Sequence, residues 1–496
     1  MVVAGMIIAV GCTAEEKTAT TRPNILFVIT DDQSWEHVGA YGGKAVRTPA
    51  MDSLAIEGVR FTNAYCAVSS CSPSRAAILT GQDIFRLEEG GVLTGFLRNK
   101  FEVFPRILES NGYRIGYTGK PYAPVTKDME GAQSAPLGKG YSVKAENPPT
   151  GISRTDYASS FDHFLDETPK ENPFFFWVGM SEPHLPHPTG HGEPSGIDLS
   201  KIRVPEFYPD TKEVRQAMAD YLFEIEWADT MLGRLLKSLE DRGLANDTLI
   251  VFTSDNGMPY PRAKATQYDH GVRMPLIVKW SKKIHAGRIV DDPVSLIDLA
   301  PTFLELAKSD IPRMMTGQSM SRPLFSKNSG VVDPNREFVV SAFEKHTLAR
   351  PGLFGFPRRA IHTKDWTYII NYEPDRYPAG REDTLLAGWD ILGDIDPSGI
   401  KSFFLENRTS VANAKLFEMS FGKVPKEELF SNENDPDMVN NLVRDPNHAK
   451  ILKELRQSLE TYLIEHEDPR AKGLSPWDEY NYDRPFPIPN PDYKTK

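Results

Sequence analysis

Cysteine is scarce in this chain: Cys12, Cys66 and Cys71 are the only three among 496 residues. Their spacing suits neither paired zinc ligands nor an even-numbered disulfide framework, so a packed core has to carry the fold. An excess of positive charge is missing too. With 57 Lys and Arg against 68 Asp and Glu, the net charge of −11 offers no electrostatic basis for nucleic-acid binding. A polyanionic substrate would have to be drawn in by a local basic pocket. Long apolar runs are also lacking: residues 1–11 are apolar but too short to span a bilayer, and no other stretch is long and apolar enough. No internal repeat or low-complexity tract occurs. What remains, 40% hydrophobic and 25% charged, is ordinary globular composition at a length that admits two domains.

The apolar segments that are present are strand-sized, and each stops at a polar cluster. Asn24-Ile25-Leu26-Phe27-Val28-Ile29-Thr30 reads as a buried parallel strand ending in Asp31-Asp32. The strand-like 113–117 delivers Gly119-Lys120-Pro121-Tyr122, the aromatic run 174–180 ends at Ser181-Glu182-Pro183-His184, and 246–254 ends in Asp255-Asn256-Gly257. Between them, 48–58 and 103–110 read as short helices. From 210 to 242 Val214, Met218, Leu222, Ile225, Ala228, Leu232, Leu235 and Leu239 recur at helical spacing behind a capping box of Asp210 and Glu213. That long helix reads as scaffold. Residues 264–273 read as a loop before a strand at 275–278, and 294–308 as a further amphipathic helix. This alternation predicts an open α/β sheet whose site lies along the carboxyl edge of the strands. Beyond about residue 335, short strands at 337–342, 358–363 and 366–372, a helix from about 448 to 467 and a Pro-rich tail predict a smaller α+β domain with a short antiparallel sheet. The expected division is a leader and linker at 1–21, a catalytic domain at 22–335 and a C-terminal subdomain at 336–496.

Asp31, Asp32, Asp255 and Asn256 follow strands of the same predicted sheet. Four oxygen-bearing side chains at adjacent strand ends suit a hard cation, and the absence of His or Cys beside them in sequence favours Ca²⁺ or Mg²⁺ over zinc. Ser70-Cys71-Ser72-Pro73-Ser74-Arg75, continuing to Gly81, reads as a short helix with Pro73 in its first turn and Cys71 just before it. That puts the sulfur at the positive end of a helix dipole with Arg75 close by, a place suited to an anion. An unmodified thiol there is expected to be acidic.

The run Cys71-Ser72-Pro73-Ser74-Arg75 with its Ala-x-Leu-Thr-Gly continuation resembles the signature of type I sulfatases. The resemblance extends from about residue 24 to the C-terminal helix. It is nearest the N-sulfoglucosamine sulfohydrolase branch through Asn246-Asp247-Thr248-Leu249 and Phe252-Thr253-Ser254-Asp255-Asn256-Gly257-Met258-Pro259-Tyr260-Pro261. It implies an alkaline-phosphatase-like sandwich, and oxidation of Cys71 to formylglycine whose hydrate attacks sulfur. It also implies Ca²⁺ held by Asp31, Asp32, Asp255, Asn256 and residue 71. Lys120, Lys264 and Arg75 would grip the sulfate, and His184 would protonate the leaving group. Glu182 stands where the family has Asp, and Tyr122 where many members have His, so Tyr122 would face the modified residue and the base that regenerates the aldehyde is open. Glu344, His346, Lys345 and Arg358-Arg359 lie where the second domain could lean over the site and read sugar groups.

The implied substrate is a sulfated glycan, of the heparan N-sulfoglucosamine type or an O-sulfated algal glycan such as ulvan. The implied partner is a formylglycine-generating or anaerobic sulfatase-maturing enzyme. Ala9-Val10-Gly11-Cys12 resembles the end of a bacterial lipoprotein signal, which implies export to the periplasm or the cell surface with membrane attachment only through a lipid on Cys12. A phosphatase or phosphonate hydrolase of the same superfamily, and a glycan-binding lipoprotein without turnover, are the competing readings.

Overall fold

Strand Asn24–Thr30 is buried on both faces because the pleat sends alternate side chains into two different cores. Ile25, Phe27 and Ile29 join one cluster, and Leu26 and Val28 the other. The computed structural model describes residues 22–93, 95–122, 131–381 and 391–479. Cys12, the expected leader and the tail beyond 479 lie outside the described residues.

Asn24–Thr30 pairs in parallel with Phe174–Gly179 on one side and Thr248–Ser254 on the other. The full order of the large sheet is Arg288–Val290, Val59–Tyr65, Arg273–Lys279, Thr248–Ser254, Asn24–Thr30, Phe174–Gly179, Arg114–Gly119 and Lys139–Tyr141, with Val294–Ser295 also pairing Val59–Tyr65. Arg273–Lys279 runs antiparallel to both of its neighbours, while the other pairings are parallel. The connection from the end of Thr248–Ser254 back into Arg273–Lys279 therefore stays at the carboxyl edge. This keeps Asp255, Asn256 and Lys264 on the same rim.

Helices cover both faces. Cys71–Thr80, Phe104–Ser110, Leu299–Leu306 and Ala449–Glu465 pack on one core through residues such as Leu79, Phe104, Phe303 and Leu459. Pro49–Glu57, Tyr157–Glu167 and Lys212–Asp241 pack on the other through Leu54, Phe161 and Ile225. The result is a three-layer sandwich. A second sheet, Phe338–Phe343, Arg358–Thr363, Trp366–Asn371 and Glu427–Ser431, is antiparallel throughout. It rests on the first, and the Ala342 N–H donates to the Ala67 carbonyl at 2.9 Å, four residues before Cys71.

Several local expectations are corrected. The long helix is capped by Thr211, whose side chain accepts from Val214 N, while Asp210 pairs with Arg215 instead of capping. The stretch 264–273 contains one helical turn, Asp269–Val272. The expected helix at 294–308 begins only at Leu299, after a short strand and a turn closed by a Ser295–Asp298 capping box. Strands Val59–Tyr65 and Glu427–Ser431 and helix Tyr157–Glu167 were not foreseen, because neither short mixed strands nor an eleven-residue helix rich in Phe and Ser shows a clean period.

Candidate active site

Cys71 is the first residue of its helix, with Ser70 at the N-cap, one position later in the architecture than expected. Its thiol is 4% exposed, accepts from Lys264 Nζ at 3.1 Å and donates to Asp32 Oδ1 at 3.7 Å. The expectation of an acidic thiol is overturned. Burial drives its pKa up, Asp31 and Asp32 add to the rise, and Lys120 and Lys264 only partly oppose them.

The backbone turns sharply here. Asp32 has φ of 70°, in the left-handed region, which lets the strand end present Asp31 and Asp32 side by side. Lys120 Nζ pairs with Asp31 Oδ2 and Lys264 Nζ with Asp32 Oδ1. Asp32 Oδ1 also accepts from Asn256 Nδ2 at 2.7 Å. Although burial raises carboxylate pKa values, Lys120 holds Asp31 well below the usual range, and Lys264 does the same for Asp32.

Arg75 is fully buried and its guanidinium is committed. Nε donates to Asp255 Oδ2 at 2.7 Å, Nη1 to the carbonyls of Lys120 and Pro121 at 2.7 and 3.2 Å, and Nη2 to Thr30 O at 3.5 Å. It ties three strand ends together and is not turned outward to an anion. Asp255 Oδ1 accepts the N–H groups of Asp32 and Asn256 at 3.1 and 2.8 Å. Burial and the neighbouring Asp31 push its pKa up.

His184 Nδ1 contacts its neighbour's carbonyl, Leu185 O, at 2.6 Å, which leaves Nε2 free to face the site, 3.8 Å from Asp32 Oδ2. Burial lowers its pKa, but Asp32 and Asp31 outweigh that and raise it to about 10. Glu182 is buried behind it, accepting from Ser153 N at 2.9 Å and Tyr157 OH at 2.8 Å, so it shapes the loop from within. Asp31, Lys120, Glu182 and His184 share a cavity of about 420 Å³.

The donor set fits a cation. Asp31, Asp32, Cys71 and His184 each offer a ligand atom, all within 4.8 Å of one another. Asp31 Oδ1, Asp32 Oδ2 and Asn256 Oδ1 are closed to solvent and accept no hydrogen bond among the described residues. Three orphaned oxygens in one place cost several kcal/mol unless something positive meets them, at about 1–3 kcal/mol for each. Asp255 contributes differently from the expectation, since its oxygens already serve Arg75 and two amides.

Other expected contacts lie elsewhere. Tyr122 is buried in the core and its hydroxyl accepts from Leu97 N, because a buried phenol needs a partner and finds one away from residue 71. Glu344 does not reach out to a sugar. It is buried between Arg359 at 2.7 Å and Arg470 at 2.6 Å, and Arg359 pairs in turn with Asp468 at 2.8 Å. His346 is buried with Nδ1 2.8 Å from Ser70 Oγ, where it can steady the N-cap but not meet a substrate directly. Lys345 reaches Trp477 O at 3.4 Å, and Arg358 stacks over Phe356. Sequence reasoning missed Tyr221, whose hydroxyl donates to Asp32 O at 3.1 Å, and Glu224, which lines the cavity. The available signal was the charge at Glu224, one position from the apolar stripe of a helix otherwise read as scaffold.

The largely parallel sheet with helices on both faces and a site on its carboxyl edge has the alkaline-phosphatase-like fold of solved sulfatases. Residues 23–309 match the sulfatase family, and residues 263–373 match the C-terminal region of N-sulphoglucosamine sulphohydrolase. The chain belongs to the sulfatase family, and is a sulfuric ester or sulfamate hydrolase. It is 27% identical to N-sulphoglucosamine sulphohydrolase of Homo sapiens, over 90% of this chain and 91% of that protein. It is 26% identical to an ulvan-active sulfatase of Formosa agariphila, over 91% of this chain and 76% of that protein. A solved structure in complex with its substrate D-glucosamine-2-N,6-O-disulfate superposes with a TM-score of 0.66 at 21% identity, over 92% of this chain and all (100%) of that one. The phosphonate monoester hydrolase of Agrobacterium radiobacter superposes almost as well, at 0.64 and 17% identity over 90% of this chain and 96% of that one, so the fold alone does not choose the ester.

Proposed function

We propose that this chain removes sulfate from sulfated saccharides, with N-sulfoglucosamine of heparan type and O-sulfated algal glycans such as ulvan as the two substrate classes that its relatives suggest. The observation that carries the proposal is the placement of a buried Cys71 between Lys264 and Asp32, beside three oxygens that accept no hydrogen bond among the described residues. In this reading Cys71 is oxidised to formylglycine by a maturation enzyme, and Sγ marks the position of the aldehyde carbon's oxygens. The hydrated aldehyde supplies one hydroxyl as nucleophile toward sulfur and a second whose deprotonation expels sulfate.

Asp31, Asp32 and Asn256 would hold a divalent cation, Ca²⁺ in preference to Mg²⁺, with residue 71 completing the set and Asp255 holding the Asp32 and Asn256 amides in place. Bound there, it supplies Lewis-acid polarisation of the sulfate group and of the nucleophile. The chain's own residues do the rest. Lys120 and Lys264 oppose the negative charge of the sulfate oxygens. Arg75 keeps Asp255 and the Lys120 backbone in register. His184, anchored at Nδ1, presents a protonated Nε2 to the departing oxygen or nitrogen. The leader at 1–21 would export the protein, with Cys12 as a lipid attachment point.

Mass spectrometry of the Cys71 peptide from protein made with a maturation enzyme, paired with assays of sulfate release, tests this. The expected result is a formylglycine mass at residue 71 and turnover of sulfate esters or sulfamates in preference to phosphate and phosphonate esters. Cysteine retained throughout, with no sulfate release, would overturn it. A preference for phosphonates would move the chain to the second reading that the shared fold allows.

A further inference from the structure

Three carboxyl side chains are buried on the inner face of the helix Lys212–Asp241: Asp220, Glu224 and Asp229. Two have evident partners. Asp220 accepts the N–H groups of Gly190, His191 and Gly192, each at 2.8 Å. Asp229 accepts those of Ala50 and Met51 at 3.1 and 2.8 Å, capping the neighbouring helix. Glu224 has none. It is 2% exposed, its Oε1 is closed to solvent without a hydrogen bond, and no described group donates to its carboxyl. A buried polar group left unpaired is costly, and where it also lines a cavity a ligand can supply the partner.

The position says which ligand. Glu224 forms part of the wall of the 420 Å³ cavity that also holds Asp31, Lys120 and His184. His184 presents its proton toward the leaving group, and among the cavity's site residues it is the charge of His184, not that of Lys120 or Asp31, that bears on Glu224, which puts this carboxyl nearer the leaving group than the sulfate. Burial, then the charge of Glu182, raise the pKa of Glu224 to about 9, with His184 opposing them. At neutral pH the group is an uncharged acid that can both donate and accept, which suits a neutral hydroxyl and gives an ammonium no special welcome.

We propose that Glu224 is a specificity-determining residue that hydrogen-bonds a hydroxyl group of the saccharide bearing the sulfate. This rests on the sulfatase reading and adds the part of the substrate recognised beyond sulfur. A site built to bond a hydroxyl discriminates strongly against ligands that lack one, because its own buried group is then left unpaired.

The test compares wild type, Glu224→Leu and Glu224→Gln on N-sulfoglucosamine, ulvan oligosaccharides and p-nitrophenyl sulfate, which carries no sugar hydroxyl. On the saccharide that wild type turns over, Glu224→Leu should lower kcat/KM by about ten- to a hundredfold. Glu224→Gln, which keeps one donor and one acceptor, should recover most of it. The aryl ester should lose much less in either variant. Glu224→Leu should also melt no lower than wild type, since it relieves an unpaired buried carboxyl. Equal losses on sugar and aryl esters, no loss on the sugar, or a Gln variant as impaired as Leu would each overturn the assignment. A wild type that hydrolyses none of the three esters would defeat the sulfatase reading itself, whereas an active wild type with an unimpaired Leu variant defeats only the role of Glu224.

Discussion

Two regions of this molecule bury charge, and they do it in opposite ways. Beside the smaller sheet, Glu344, Arg359, Asp468 and Arg470 interlock so that each carboxylate meets a guanidinium, with Arg359 and Arg470 also lying over the Trp477 ring. At the carboxyl edge of the large sheet, Asp31, Asp32 and Asn256 keep oxygens that accept no hydrogen bond among the described residues. A self-satisfied cluster holds structure together; one left incomplete has to be finished by something that binds. Glu344, which the sequence places plausibly over a substrate, is thus held between two guanidinium groups, while Glu224, in a helix that reads as scaffold, lines the cavity without a hydrogen bond among the described residues.

The largest expected effect lies at the incomplete cluster. Cys71→Ala should lower sulfate release by at least about a thousandfold, as loss of a nucleophile does, with the melting temperature little changed because a small buried side chain is lost. Sulfate release and thermal melting on the same preparation check it. Next, Arg359→Leu strands Glu344 and Asp468 in the interior and should cost about 3–5 kcal/mol in denaturant unfolding. Activity per folded molecule should hold, and a selective loss of saccharide turnover would show that this cluster touches substrate after all.

Removing divalent cations with a chelator should abolish activity and lower stability, and added Ca²⁺ should restore both. A ligand at a hundred to a thousand times its Kd stabilises by about 3–4 kcal/mol. A melting temperature indifferent to chelator and to Ca²⁺ would mean that the orphaned oxygens hold no ion, and the contrast between the two regions would lose its basis.

A smaller effect should come from a third cluster, ion-paired like the first and on the same connection as Lys264. His270 lies between Glu36 and Asp437, at 3.1 and 2.8 Å. Burial lowers its pKa, but Glu36 and Asp437 more than reverse this and raise it to about 9. Its folded pKa thus exceeds the unfolded value of 6.5, so its contribution is complete below about pH 6.5 and is lost as pH rises through 9. Glu36 is half-buried, and although that raises its pKa, His270 holds it down to about 2, so its contribution is present above about 4.5 and fades as pH falls toward 2. Urea midpoints from pH 5 to 10 should decline on the alkaline side in wild type, and His270→Asn should flatten that limb. An unchanged slope would remove His270 from the cluster's account.

Much of the fold was legible because the strands of a doubly covered sheet must be apolar on both faces, which marks Asn24–Thr30, Phe174–Gly179 and Thr248–Ser254 unmistakably. The residues next to those strands were legible for the same reason. Asp31, Asp32, Asp255, Asn256 and His184 each stand within a few positions of a readable strand end. Cys71 was readable from its neighbours Pro73 and Arg75. What could not be read were pairings across long stretches of chain. Arg470 reaches Glu344 over 126 positions, and Ser70 meets His346 over 276. Tyr122 was misplaced because which side of a loop faces the core depends on Leu97, a residue with no sequence link to it.

From its sequence alone this protein was committed to a mostly parallel sheet with acidic strand ends and a cysteine at a helix start, because local periodicity and turn chemistry act over a few residues. Only the tertiary structure decided which charges are satisfied. Partner and solvent access are properties of packed neighbours, so Arg75 became a tie, Glu344 a brace, and Glu224 a buried carboxyl in the cavity wall with no hydrogen bond among the described residues.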